Sequence, residues 1–481
     1  MADKNAAPTP SHAEGNFRVS HSLRMKTLIP FVVFAVALAG AVHADSPSSR
    51  FNIRDYGATG NGQQLVTKAF ASAIAACVNA GGGTVYVPPG RYLTGTIELK
   101  SNVTLQLEAG ATILGSENPD DYPPTKSVWG DDREMMAPLI YAVDAANVTV
   151  TGRGTIDGQG AIWWHRIRLN NPKKFPPGPK TDEEFAEAKK VARGRPHLVR
   201  PVRCTDFVIE NVTLINSAEW TVHPMLCERV RVEGVSILNP ATNAHNTDGI
   251  NPESCRNVQI LNCRIDTGDD CVTLKSGINE LGRKMGRADE NITIANCVMI
   301  HGHGAVTIGS EMSGGVRNVV VTNCVFQSTD AGIRLKSQRG RGGVVEGISV
   351  SNIVMQDVPA PFTISTFYTG ADRPEDLHPV DEGTPAFREM LFSNITARGA
   401  KTAGNIVGLR ELPIENLTFS NVHVEAQTGF TITNAKDVTF LDCVIDTAKG
   451  PALQLKNASG IDHARLRTRH PHEDAPLVQD E

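Results

Sequence analysis

Three aspartates, one histidine and several cations recur at matching places in four short segments of this chain. The segments are Asn246-Thr-Asp-Gly-Ile-Asn-Pro-Glu-Ser254, Gly268-Asp-Asp-Cys-Val-Thr-Leu-Lys-Ser276, Gly302-His-Gly-Ala-Val-Thr-Ile-Gly-Ser310 and Ala331-Gly-Ile-Arg-Leu-Lys-Ser337. Set in register on their serines, Asp248 falls level with Asp270, Asp269 with His303, and Lys275 with Lys336. Crowded carboxylates raise each other's proton affinity, so one holds a proton near neutral pH while its neighbour is ionised. Cleaving a glycosidic bond needs that pair: an acid for the leaving oxygen and a base for the attacking water. A lone aspartate in such a segment reads better as a solvated turn residue or a calcium ligand; three in register with a histidine favour catalysis. Arg334 and Lys336 add a cationic spot, and the planar fork of arginine suits a carboxylate. Lys275, level with Lys336, joins the candidate binding residues.

What must position these groups is a coil that returns to the same place on each turn. The aligned serines are 22, 34 and 27 residues apart, an irregular period that fits a solenoid with loops of variable length. A second ladder fixes the same register: Asn262-Cys263, Asn296-Cys297 and Asn323-Cys324 each follow an alternating apolar run, and each Asn lies 14 residues before its serine. Short, alternating, β-branched units without a helical pattern between them read as strands. Stacked in this way they predict an all-β chain, a parallel β-helix. The repeated Asn and Cys are read as architectural, the Asn bonding along a ladder and the Cys packing inside. Strand parity puts Val272, Leu274, Val306, Ile308, Ile333 and Leu335 in the core. Thr273, Lys275, Arg334 and Lys336 take the opposite, wet face, with Asp269 and His303 outward as well. Asp248 and Asp270 have core parity, and a bend or bulge at Gly268 and before Asp248 is expected to turn them outward, since the interior does not tolerate unpaired charge.

Composition sets the compartment and the ends. With 43 glycines, 5% aromatic residues and a net charge of −5, the chain suits one long solenoid and offers no electrostatic case for nucleic acid. Residues 25–44 read as a secretory signal, with Met25-Lys26, an apolar run and Val42-His-Ala44, and residues 1–24 as an over-extended or disordered lead. Residues 45–458 are assigned to the catalytic β-helix and 459–481 to a charged tail, with no membrane attachment after signal cleavage. Among the nine cysteines, Cys204, Cys227, Cys255 and Cys271 are candidates for disulfides. No zinc-type cluster is seen, and neither metal nor cofactor is expected. A helix at residues 67–79, ended by Gly81-Gly-Gly83, is the candidate N-terminal cap. Residues 161–197, rich in Lys, Pro and Glu, form an insertion out of step with the repeat.

Asn246-Thr-Asp248, Gly268-Asp-Asp270, Gly302-His-Gly304 and Arg334-Leu-Lys336 resemble, in order and spacing, the four signature motifs of the polygalacturonases, glycoside hydrolase family 28. The resemblance runs from residue 51 to about residue 368. It implies a right-handed parallel β-helix, similar to the pectate-lyase solenoid, that cleaves α-1,4-galacturonan with inversion and without a metal. It implies Asp269 as general acid, Asp248 and Asp270 as the pair that activates water, and His303 as the residue tuning the acid. Arg334 and Lys336 would hold galacturonate carboxylates, with Tyr368 beside them as a subsite tyrosine. Asn61-Gly-Gln-Gln-Leu-Val-Thr67 departs from the family's early Asp-Gly pattern, which bears on the cap alone. Trp220-Thr-Val-His-Pro224, Gly309-Ser-Glu-Met-Ser-Gly-Gly315 and Arg339-Gly-Arg-Gly-Gly343 resemble bacterial members, exo-acting ones included. Three other readings stay open: a hydrolase of rhamnogalacturonan or another decorated pectin, a calcium-dependent polysaccharide lyase, and a non-catalytic surface β-helix.

Overall fold

A computed structural model describes residues 49–368 and 372–468, and the backbone of Leu477–Gln479. The expected signal at 25–44 and the lead at 1–24 lie outside the described residues. Strand after strand pairs in parallel with the strand one turn later, so the chain winds as a right-handed parallel β-helix. The groove-bearing face is one continuous register: Val222 pairs with Ile250 and Ile250 with Val272. From there Val272 pairs with Val306, Val306 with Ile333, and Ile333 with Phe362. This is the alignment drawn from the serines, now seen as hydrogen-bonded strands.

Alternation along each strand sends one column of side chains inside. Val230, Val258, Ile292, Val319, Ile348, Met390 and Leu417 stack in successive turns, all at or below 3% exposure. Toward the C-terminus the filling changes to a phenylalanine stack, Phe362, Phe392, Phe419, Phe430 and Phe440, with ring centroids 4.9–5.7 Å apart. Fully burying each ring is worth roughly 2 kcal/mol. Asparagines turn the corners: Asn262, Asn296 and Asn323 have φ near +57°, a left-handed conformation that Asn tolerates better than other side chains. The later two amides donate to the Asn one turn before, Asn296 to Asn262 at 3.2 Å and Asn323 to Asn296 at 3.4 Å. The same column runs on through Asn352, Asn394 and Asn421.

The candidate disulfides are not formed: all nine cysteines are buried free thiols. Cys204, Cys227 and Cys255 occupy one rung position, and their thiols donate to backbone carbonyls, as the Cys204 thiol does to the Val202 oxygen at 3.4 Å. The helix α1, Thr67–Asn79, caps the coil with Ala69, Phe70, Ala73, Ile74 and Cys77 turned inward. At the far end the coil continues past residue 458, where the sequence reading ends the β-helix. Leu453–Asp462 still pairs along its neighbour and Leu466 lies against Cys443. The packing thins there: Ile461 and Leu466 are only half-buried against the core, beyond the buried Leu453 and Leu455 and the Asn457 amide that donates to Asn434.

Among the described residues, three excursions on the groove side carry secondary structure of their own. A hairpin pairs Pro124–Lys126 with Glu134–Met136 in antiparallel fashion. The insertion folds as α2, Ala161–Asn170, and α3, Asp182–Lys189. Thr181 and Glu184 cap α3 reciprocally, as a capping box does. Trp164 pins α2 to the coil by donating from Nε1 to the Ser217 carbonyl at 3.0 Å. The third is α4, Asn279–Met285.

Candidate active site

The site sits where the backbone turns between Arg264–Thr267 and Val272–Leu274. The expected bend is there: a Cβ on Gly268 would lie 2.5 Å from the Pro240 carbonyl oxygen, so that corner has room for glycine alone. Asp269 and Asp270 follow it directly. Carboxylate oxygens of Asp248, Asp269 and Asp270 lie within 4.8 Å of one another. The chain thus brings together the residues singled out from the aligned serines.

Each carboxylate meets a different environment. Asp270 is 1% exposed and receives two cations, Arg334 Nη1 at 3.1 Å on Oδ1 and Lys336 Nζ at 2.8 Å on Oδ2. Gly304 makes this pairing possible, because a Cβ there would stand 3.0 Å from Asp270 Oδ1 and 3.2 Å from Arg334 Cδ. Asp248 is 4% exposed and accepts from Asn251 Nδ2 at 2.9 Å. Asp269 opens furthest to the groove, with 17% of its side chain exposed. Its Oδ1 faces His303 Nδ1 at 3.1 Å and accepts the Asp270 N–H at 2.9 Å.

The electrostatics follow these contacts. Burial, and then the charge of Asp269, push Asp248 up to about 8, against the partial relief given by Lys275. Burial works on Asp269 too, but the hydrogen bond and charge of His303 outweigh it and leave that carboxyl at about 2. His303 is correspondingly raised, chiefly by its bond to Asp269. One proton on the cluster near neutral pH therefore belongs to the interacting set, with Asp248 its resting place in the open site.

Two parts of the sequence reading need correction. The face carrying Thr273 and Lys275 is covered, not wet: Thr273 is fully buried and Lys275 is 4% exposed. Lys275 pairs with Glu311 at 2.8 Å and lies 4.6 Å from the centroid of the Trp220 ring, side chains that come from loops of neighbouring turns. Asp248 and Asp270 are not swung out to solvent either. They stay under the groove floor, where Asn251 and the two cations satisfy them. Tyr368 does join the cationic spot, its ring centroid 5.8 Å from Arg334 Cζ and 5.4 Å from Lys336 Nζ. Sequence reasoning passed over Asn251, which lies inside a quoted motif, and did not pair Glu311 with Lys275, 36 residues away.

The sequence profile described as glycosyl hydrolases family 28 matches residues 77–443. The chain belongs to that family. Family 28 relatives include a probable polygalacturonase of Vitis vinifera, 34% identical over 77% of this chain and 73% of that protein. An exo-poly-alpha-D-galacturonosidase of Dickeya chrysanthemi is 30% identical over 81% of this chain and 69% of its own length. An endo-polygalacturonase of Pectobacterium carotovorum is 31% identical over 71% of this chain and 80% of its own. Among solved structures, a hyperthermoactive exopolygalacturonase of Thermotoga maritima superposes with a TM-score of 0.68 at 33% identity, covering 82% of this chain and 92% of that one. The chain is accordingly a glycosyl hydrolase.

Proposed function

We propose that the protein hydrolyses the α-1,4-galacturonosyl linkages of polygalacturonate, acting from a chain end. The observation that carries this reading is the junction of an acid cluster with a cation pair: Asp269 opens to the groove while Arg334 and Lys336 flank it under Tyr368. A polymer with a carboxylate on every sugar meets those cations on each binding register. Alternating rhamnose would leave one place without a carboxylate, and so the decorated-pectin reading fits less well. The names of the relatives support the same substrate class.

In this reading Asp269 gives its proton to the glycosidic oxygen as the bond to the anomeric carbon breaks. A water held between Asp248 and Asp270 attacks that carbon and gives up a proton to Asp248. The open site keeps the proton on Asp248, so substrate must first shift it across the cluster to Asp269. That transfer leaves Asp248 ionised, which is the state a base requires. The aspartates are poor candidates for a calcium site, because both oxygens of Asp270 are already held by cations.

The stereochemical outcome has two readings. Carboxylates this close fall short of the ~6.5–9.5 Å usual for inverting enzymes and nearer the spacing of retaining ones. The double pairing of Asp270 weakens it as a nucleophile, and the buried Asp248 cannot approach a sugar, which together favour inversion. End-on action is supported by the excursions. Trp129 and Met135 of the hairpin, Arg193 after α3, and Ile278 enclose a cavity of about 490 Å³ beside Lys275 and Trp220. Trp129 packs on Gly277, where a Cβ would lie 2.7 Å from its ring, so this end of the groove is walled. Export fits the apolar stretch before residue 45; among the described residues no helix is long and apolar enough to cross a membrane.

The test is the reaction itself. Incubation with polygalacturonate is expected to release one short product from the start, with new reducing ends, no ultraviolet-absorbing unsaturated sugar and no effect of a chelator. Proton NMR of the first product is expected to show the β-anomer. A ladder of oligomers would overturn the end-on part, an unsaturated product the hydrolytic part, and an α-anomer the inversion.

A further inference from the structure

Arg200 is a buried cation without an anion. It is 6% exposed, and its guanidinium reaches two sulfurs: Met225 Sδ, 3.2 Å from Nη2, and Met135 Sδ, 3.9 Å from Nη1. Its Nε has no partner. Thioether sulfur is a weak acceptor, and a buried guanidinium left in that state is costly unless something completes it. The nearby carboxylates are already engaged. Glu219 takes Arg195 at 3.3 Å, Glu253 takes His223 Nε2 at 2.8 Å, and Glu311 takes Lys275 at 2.8 Å.

Arg200 lines the walled cavity, and two further orphan groups line it too. The Nδ1 atoms of His197 and His223 are buried and without partners. The two rings stack 4.9 Å apart, and Trp220 stands edge-on to both at 5.4 and 4.7 Å. The cavity is thus bordered by a buried guanidinium with no ion pair, by two histidines whose buried Nδ1 atoms have no partner, and by aromatic surface. That set suits a sugar acid. Its position agrees. Val199, Val222 and Ile250 are successive partners on the groove face, so Arg200 lies two turns before the turn of Asp248, roughly 10 Å along the axis. Arg334 occupies the same column on the other side of the cluster.

We infer that Arg200 binds the carboxylate of the terminal sugar acid of the substrate, in a blind subsite across the scissile bond from Arg334. With His197 and His223 holding hydroxyls, this subsite reads the chain end and sets where the polymer stops. The inference rests on the polygalacturonate reading for the identity of that sugar.

Arg200→Met tests it, since methionine suits the company of Met135 and Met225. Steady-state hydrolysis of polygalacturonate is measured with free D-galacturonate, and separately galactose, as inhibitors. The variant is expected to melt no lower than wild type, to keep kcat within a few-fold, and to raise KM at least about tenfold, the size of a lost charge-assisted bond. Competitive inhibition by galacturonate should weaken by the same factor, while galactose inhibits neither protein. Unchanged KM and unchanged inhibition would overturn the inference, and so would a loss of melting temperature with discrimination intact. If Arg200→Met does not fold, Ala192→Trp fills the cavity from its exposed rim and is expected to weaken galacturonate equally; wild-type affinity there overturns the inference as well. Calorimetric titration of galacturonate into wild type separates this from the proposed function. Absence of hydrolysis with tight, Arg200-dependent binding sinks the activity alone, and hydrolysis indifferent to Arg200 sinks the subsite alone.

Discussion

Two flanks of the same coil are built by the same stacking, and they come out opposite in character. On the asparagine flank identical side chains follow one another at about 4.8 Å, and each amide satisfies the next, from Asn262 to Asn421. On the groove flank the same spacing sets ionisable groups above one another: Asp248 over Asp270, Asp269 over His303, and then Arg334 and Lys336. Repetition there would be ruinous, because stacked carboxylates repel. The coil tolerates it by pairing Asp270 with two cations, keeping a proton on Asp248 and giving Asp269 a histidine. One flank spends its contacts on rigidity, whereas the other holds charges close enough to do chemistry.

The sharpest way to break this contrast is Asp269→Asn. The change keeps size and backbone contacts but removes the only carboxyl of the cluster that opens to the groove. Turnover of polygalacturonate is expected to fall by at least about 10²–10⁴-fold, with circular dichroism and melting temperature close to wild type. Wild-type turnover would mean that the groove flank is merely another structural ladder.

The next effect is in pH. A carboxyl raised by burial keeps its proton to higher pH, so activity that draws on the Asp248 proton is present below about 8 and lost as pH rises through that value. The stability contribution has the same sign: the folded state holds this proton more tightly than the unfolded chain. That advantage is complete below the ordinary carboxyl value of 3.8 and declines until pH passes about 8. A kcat/KM profile flat through that limb would remove the proton from the cluster. Asparagine amides do not ionise, and substitutions on that flank should leave the limb where it is.

How far both flanks were legible in the sequence follows from the range of the interactions. Register is local and repetitive, so four serines and three Asn-Cys pairs suffice to place Asp248, Asp269, Asp270 and His303 on adjoining turns. The cap helix at 67–79 was equally plain from its inward residues. What periodicity does not carry is whatever leaves the coil. The hairpin at 124–136 is largely polar, with Trp129 its one aromatic residue and no repeat, yet Trp129 and Met135 wall the groove. Parity likewise predicts a wet Lys275, and the structure buries it under Glu311 and Trp220 from the loops of neighbouring turns. Cysteine chemistry was similarly out of reach, since Cys204, Cys227 and Cys255 share a rung whether or not they bond.

The smallest expected effect sharpens the comparison from the quiet side. Asn296 donates to Asn262 at 3.2 Å and accepts from Asn323 at 3.4 Å, with φ at +58°. Asn296→Ala removes two exposed bonds and puts a Cβ without a local hydrogen bond into left-handed backbone, a cost of about 1–2 kcal/mol in all. Asn296→Gly removes the same bonds but relieves the backbone part. The glycine variant should therefore melt between wild type and the alanine variant, and both should hydrolyse polygalacturonate at the wild-type rate. If the two variants melt together, the corner conformation contributes little and the amide bonds carry the ladder. If either loses activity while remaining folded, the two flanks are coupled through the core, and the division of labour between them fails.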